Sequence, residues 1–145
     1  MIHLNVQETE IHTFDQARLS HVILTTLTHE KVNDDVELTL VLGNDDQLQQ
    51  LNREYLGIDA PTDVLAFPSD EVDPDSGLRY LGDIIISLTR VNEQATISGH
   101  SSNAEIELLV VHAVLHLLGY DHFDPNQKNQ MWTAQTNILK ELGTP

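Results

Sequence analysis

Residues 110–124 read VVHAVLHLLGYDHFD, and this stretch sets the expected fold because it predicts a long helix together with the turn that ends it. The helical spacing of apolar residues runs from about Asn103 to Leu118, which indicates a helix at the centre of the molecule. Gly119 comes directly after it, where a glycine commonly ends a helix in a left-handed conformation and reverses the chain. The stretch also carries three of the eight histidines in the sequence, His112, His116 and His122.

The spacing of these three histidines predicts a metal site. His112 and His116 are four residues apart, so they share one face of the helix. The turn at Gly119 brings His122 back past that face, which gives three imidazole ligands. Three protein ligands leave a fourth tetrahedral position open, as in catalytic rather than structural zinc sites. The metal is therefore predicted at the C-terminal end of the central helix.

The alternative to a metal site is an ordinary structural role. A single buried histidine is usually a hydrogen-bonded core residue, and a pair four residues apart often arises by chance. Three histidines within eleven residues, with a glycine between the second and the third, favour the metal. The remaining histidines are scattered and are interpreted as surface or core residues: His3, His12, His21, His29 and His100.

The spacing HxxxHxxGxxH is also that of the metzincin metallopeptidases. In those enzymes the residue after the first histidine is the glutamate that acts as general base. That position is Ala113 here, so the sequence matches their metal geometry and not their proteolytic chemistry.

Length and composition predict one globular domain over residues 1–145. The chain is 40% hydrophobic and 21% charged, which is typical of a soluble globular protein. It has no cysteine, which excludes disulfides and thiolate ligands and leaves His, Asp and Glu to bind zinc. No apolar run approaches the roughly 20 residues that cross a membrane, and the start, MIHLNVQETE, lacks the features of a signal peptide. We therefore expect a cytoplasmic protein without membrane contact.

The charge balance opposes broad binding to a phosphate backbone. Seven Lys and Arg face 23 Asp and Glu, which gives a net charge of −16. Backbone binding requires many cationic contacts. A nucleic-acid ligand would need a local positive groove that includes the metal, or a partner that delivers it.

The pattern along the whole chain predicts an α+β fold, with a mixed four-stranded sheet packed with about five helices. A strand, helix, strand unit at the start indicates a right-handed parallel crossover, and the short turns between later strands indicate antiparallel pairing. Strands are expected at residues 2–7, from 36 to the glycine at 43, and at 63–67 and 81–88. Helices are expected at residues 14–29, in a short segment capped by Asn44, and at 87–99, 103–118 and 125–142.

Some side chains of the predicted helices are expected in the core. Leu48, Leu51 and Tyr55 are predicted to face inward from the short helix. Met131 and Trp132 are interpreted as core residues of the last helix, for which Asp124 and Pro125 are the predicted cap and first position. The acidic loop PSDEVDPDSG is expected to be solvated.

Three blocks of the sequence resemble the YbeY family of metal-dependent endoribonucleases and ribosomal RNA maturation factors. HAVLHLLGYDH, residues 112–122, is similar to the family motif HGxLHLxGYDH. NREYLGIDAPTDVLAFP, residues 52–68, resembles N-x-x-Y-R-x-x-D-x-P-T-D-V-L-S-F-P, and LGDIIIS, residues 81–87, resembles the family's LGDIVI strand. The sequence departs from the motifs at Ala113, where the family usually has glycine, and at Leu56, where it usually has an arginine thought to assist at the site.

The resemblance implies a function and a substrate. It implies zinc, or a similar divalent ion, held by His112, His116 and His122, and cleavage of single-stranded RNA in the maturation of the small-subunit ribosomal RNA 3′ end and in ribosome quality control. It also implies delivery of the RNA by the ribosomal small subunit or an assembly GTPase. The strand after Asp63 is expected to line a groove beside the metal helix.

The catalytic base is not fixed by the motifs. Asp63 and Asp121 are the tentative candidates, although Asp63 also suits a turn entering an edge strand, and Asp121 also suits an exposed turn. Two other functions remain open. One is a different hydrolase on a metallopeptidase-like site, which Ala113 opposes. The other is a non-catalytic ribosome-assembly factor stabilised by its metal, which Leu56 favours.

Overall fold

The computed structural model describes residues 3–6, 14–120 and 123–144 of the chain. The strands are β1 (His3–Val6), β2 (Val36–Gly43), β3 (Val64–Pro68) and β4 (Arg79–Ser87). The helices are α1 (Gln16–His29), α2 (Asp45–Leu56), α3 (Leu88–Ser98), α4 (Ser102–Leu117) and α5 (Pro125–Leu142). These bounds lie within a few residues of those that the sequence predicts.

The strands form a mixed sheet in the order β1-β2-β4-β3. β1 and β2 pair in parallel, as expected for two strands joined by a helix, and β2 also pairs in parallel with β4. β3 pairs antiparallel with β4 and lies at the edge of the sheet. The α+β class with its mixed sheet and five helices is thus confirmed.

The main core lies between one face of the sheet and α4. Alternate residues of the two central strands, such as Leu40 and Ile84, are buried there. The α4 side chains Val110, Val114 and Leu115 are fully buried in the same core. Because α4 also contacts α1, α3 and α5, it is the central helix that its apolar sequence predicts. None of the described helices combines the length and hydropathy required to span a bilayer.

The structure confirms the helix ends that were predicted from capping residues, proline and glycine. Asn44 caps α2 through a reciprocal pair of hydrogen bonds with Gln47. Asp124 caps α5, and Pro125 occupies its first turn. Gly119 follows Leu118, the C-cap of α4, and adopts a φ of 106°, the positive φ that the sequence predicts there.

Two predicted core residues are instead exposed. Tyr55 is 67% exposed, because α2 lies on the sparsely covered face of the sheet and inserts mainly Leu48 into a small second cluster. Trp132 is 58% exposed, whereas its neighbour Met131 is buried as predicted. The buried residues of α5 are Met131, Ala134, Gln135 and Ile138. These residues are three or four positions apart and so form one face of the helix. Trp132 lies outside that face, and its indole points away from the core.

Candidate metal centre and groove

The last two turns of α4 hold two imidazoles against each other. The Nε2 atoms of His112 and His116 lie 3.1 Å apart, and their ring centroids are 4.7 Å apart with the rings nearly perpendicular. This is the shared helix face that their four-residue spacing predicts. Neighbouring side chains on α4 are fully buried, and they anchor this part of the helix in the core.

The other nitrogen of each ring is held by an acceptor. Nδ1 of His116 donates to the backbone carbonyl of Tyr120 at 3.0 Å, since a carbonyl can only accept. Nδ1 of His112 lies 3.1 Å from Oε1 of Gln135, an amide oxygen that likewise accepts. In the neutral rings, the lone pair is then on Nε2 in both residues. Two nitrogen lone pairs are thereby directed at one small volume, which suits a cation.

The two histidines line an open groove of about 680 Å³. The edge strand β3 contributes Val64, Leu65 and Ala66 to one wall, and Asp63 lies at its start. The turn after α4 contributes Gly119, Tyr120 and Phe123, and the end of α2 contributes Leu56. The groove beside the histidine-bearing helix that the resemblance implies is present, and Asp63 lines it together with the two histidines.

The loop that leads into β3 is fixed by hydrogen bonds. Nδ2 of the buried Asn52 donates to the carbonyl of Ala60 at 2.9 Å. The backbone carbonyl of Asp63 accepts from the amide of Ser87 at 2.9 Å, and its carboxylate lies 3.4 Å from Nε2 of Gln94. These contacts position Asp63 at the groove and give a physical reason for the asparagine at the start of the 52–68 block.

Tyr120 connects the groove to the C-terminal end of α1. Its hydroxyl donates to Oε1 of Glu30 at 2.5 Å. This hydrogen bond, with burial and the adjacent negative charge, raises the pKa of Tyr120 to about 12. The phenol is therefore neutral near pH 7 and fixes the turn whose carbonyl holds His116.

The groove has little cationic character. None of the described residues that line it is Lys or Arg. Three arginines elsewhere are engaged with carboxylates, since Arg18 pairs with Glu107, Arg79 with Asp34 and Arg90 with Asp45. The local positive groove that a nucleic-acid ligand would need is thus not formed by side chains of the described part of the chain.

Two of the predicted site residues, Asp121 and His122, lie outside the described residues. Within residues 3–6, 14–120 and 123–144, no group of three or more His, Cys, Asp or Glu side chains forms a metal-binding cluster. The three-histidine site and the role of Asp121 accordingly stay predictions.

Sequence reasoning missed two residues of the site. Gln135 was not singled out, although the inward-facing spacing of α5 places it at the core. The sequence predicts no role for Phe123, which lines the groove and is 84% exposed. A large apolar residue directly after a predicted metal ligand is the sequence signal that would have identified it.

Comparisons with known proteins agree with the geometry. A sequence profile of the family described as Endoribonuclease YbeY matches residues 2–143. A protein of that name from Roseiflexus sp. is 44% identical over 89% of this chain and 84% of its own. Another from Chloroflexus aurantiacus is 42% identical over 98% of this chain and 96% of its own. The solution structure of TM1509 from Thermotoga maritima is similar with a TM-score of 0.66 and 28% identity, covering 98% of this chain and 89% of that one.

Proposed function

Because the chain belongs to the endoribonuclease YbeY family, we propose that it is a zinc-dependent endoribonuclease that cleaves single-stranded RNA. Its role would be in maturation of the small-subunit ribosomal RNA 3′ end and in ribosome quality control. The observation that carries this proposal is the convergence of the His112 and His116 Nε2 atoms, 3.1 Å apart, in a groove that runs along an edge strand.

The residues fit the proposed metal. His112 and His116 direct two neutral nitrogen donors at one volume, and His122 would supply the third from the turn that follows Gly119. Nitrogen donors of this kind suit zinc, and three of them leave one position for water or substrate. When bound, zinc supplies Lewis acidity that activates water near neutral pH and polarises a phosphoryl oxygen.

The chain's own residues orient the reaction. Gln135 and the Tyr120 carbonyl keep each ligand ring in one tautomer, which is a common arrangement around metal-bound histidines. The Asp63 carboxylate at the groove is our candidate to accept the proton of the attacking water, with Asp121 as the second candidate. Val64 and Ala66 form an apolar part of the groove wall.

The shape and charge of the groove favour an extended strand delivered by a partner. A shallow channel along an edge strand accommodates a single backbone more readily than a duplex. The net charge of −16 and the absence of Lys and Arg from the described lining predict weak binding to naked RNA. The ribosomal small subunit or an assembly GTPase would present the RNA and supply the cationic contacts.

A second function has one observation in its favour. Leu56 occupies the position of the usual arginine, and it lines the groove. A non-catalytic assembly factor that keeps the metal for stability would tolerate this change. The peptidase alternative is disfavoured because Ala113 stands in the place of the catalytic glutamate, and a methyl side chain cannot act as a general base.

We expect metal-dependent cleavage of an unstructured RNA and no cleavage of casein. The protein is purified without chelator and without a nickel column. It is then incubated at low salt with each of three labelled substrates in turn: single-stranded RNA, the matching duplex and casein. Chelation should abolish cleavage of the single strand, and added zinc should restore it.

Each outcome separates the candidate functions. Casein cleavage without RNA cleavage would assign the site to a peptidase-like hydrolase. Zinc binding at about one ion per chain without activity on either substrate would favour the assembly factor. RNA cleavage that survives chelation would contradict the proposed metal chemistry.

Replacing Leu56 with arginine is expected to raise RNA cleavage. Position 56 lines the groove and is 56% exposed, so a guanidinium there reaches a bound phosphate without entering the core. Arginine binds phosphate through a fixed fork of donors. A charge-assisted hydrogen bond contributes about 1.5–3 kcal/mol, so kcat/KM should rise roughly 10- to 150-fold.

The matched control is Ile97→Arg on α3, which is 85% exposed and outside the groove. It changes the net charge equally and so measures the general electrostatic gain. Equal gains in both variants would show that position 56 has no specific contact with RNA.

A further inference from the structure

We propose that Phe123 stacks on an unpaired base of the RNA beside the metal centre, and that this contact replaces part of the phosphate binding that the groove lacks. The inference rests on the proposed function and specifies how the same site holds its substrate. The Phe123 ring would contact the face of the base and would make no hydrogen bond to its edge. Sequence preference is therefore expected to be weak.

The position of Phe123 supports this role. Phe123 is 84% exposed and lines the same groove as His112 and His116. It directly precedes Asp124, whose side chain caps α5 through the amide of Asn126 at 2.9 Å. The backbone beside the phenyl ring is thereby tied to the start of a helix, which holds the ring close to the site.

The charges around the groove favour a base over a phosphate as the partner. Apart from the proposed zinc, the described lining contains the Asp63 carboxylate and no Lys or Arg, so phosphates away from the metal would meet a negative rather than a positive group. Stacking needs no charge, because every base presents a π face to an aromatic ring. Leu56, which is 56% exposed, extends the apolar surface to the end of α2.

Removal of the ring is expected to weaken RNA binding selectively. Stacking of a base on an aromatic side chain corresponds to roughly a 5- to 150-fold change in Kd for each base. Phe123→Ala and Phe123→Leu should both show a loss in this range, whereas Phe123→Trp should retain binding. Because stacking is not ionic, the loss should be similar at low and at moderate salt.

The experiment measures binding of a labelled RNA strand to zinc-loaded protein at 4 °C, within a time over which gel analysis shows the strand to be intact. A series of strands carries one abasic site at successive positions. For wild type, an abasic site at one position should raise Kd by the same factor as the Phe123→Ala substitution does with the intact strand. For Phe123→Ala, the strand with that abasic site should bind with the same Kd as the intact strand. Trp132→Ala removes an aromatic residue that is 58% exposed but outside the groove, and it should leave Kd unchanged.

The outcomes distinguish this inference from the proposed function. Unchanged Kd in Phe123→Ala, with wild type binding RNA, would overturn the stacking contact and leave the nuclease intact. An abasic penalty that persists in the variant, or binding that falls only in proportion to lost zinc, would likewise overturn the contact. Loss of ribosomal-subunit binding with intact RNA binding would assign the ring to a protein interface instead. Wild type that neither binds nor cleaves RNA would refute the proposed function and, with it, this inference.

Discussion

His116→Ala is expected to lose bound zinc and to reduce RNA cleavage by about 1,000-fold or more, because the metal supplies several kcal/mol of transition-state stabilisation. His116 contributes one of the two convergent Nε2 atoms, and its ring is fixed by the Tyr120 carbonyl. Without it, the remaining donors no longer define a three-ligand site. The fold should persist, since the variant removes no fully buried apolar group.

The measurement combines zinc content by elemental analysis with single-turnover cleavage of labelled RNA. His21→Ala is the matched control, because His21 is an exposed histidine on α1 that lies outside the groove. It should retain both zinc and activity. Circular dichroism of both variants establishes that the fold is intact.

Full zinc occupancy in His116→Ala would contradict the proposed ligand set. Cleavage at the wild-type rate in the same variant would point to a contaminating nuclease or to a site elsewhere on the protein. Loss of activity with retained zinc would instead make His116 a proton donor or acceptor and would require a different metal site.

The central helix and the histidine pair were predictable because local sequence determines them. A continuous apolar segment fixes α4, and a spacing of four places His112 and His116 on one face whatever surrounds them. Gly119 likewise predicts the reversal, since a left-handed residue at this point favours glycine. The observed pairing of the two rings follows from these local rules.

The remaining features depend on tertiary packing, which periodicity does not specify. Tyr55 fits an inward-facing pattern, but α2 covers too little of its sheet face to bury the ring, which instead packs at the edge with a centroid 5.5 Å from that of Phe67. Gln135 reaches His112 across 23 positions of sequence. Phe123 belongs to the groove only because β3 and the turn after α4 come together in space.

The pairing of β3 with β4, in which Pro68 lies opposite Gly82, supports the groove wall. Gly82→Ala is expected to destabilise the protein by about 3 kcal/mol or more, from an incompatible backbone conformation combined with overpacking. Gly82 has a φ of 139°, next to an irregularity in the β2–β4 register. A Cβ atom there would lie 2.2 Å from the carbonyl oxygen of Phe67 and 3.0 Å from Cδ2 of Leu117. This close approach is the physical reason for a glycine in the LGDIIIS block.

The backbone of β3 would have to move to admit the methyl group, and β3 forms the groove wall beside the histidines. We therefore expect a lower free energy of unfolding in urea and, in the fraction that stays folded, weaker RNA cleavage with zinc retained. Gly77→Ala is the matched control, because Gly77 also has a positive φ of 74° but no atom within 4 Å of the added Cβ. It should cost only about 1 kcal/mol, the penalty for a left-handed alanine. Equal losses in both variants would show that backbone conformation alone, and not the contact between β4 and β3, requires glycine at position 82.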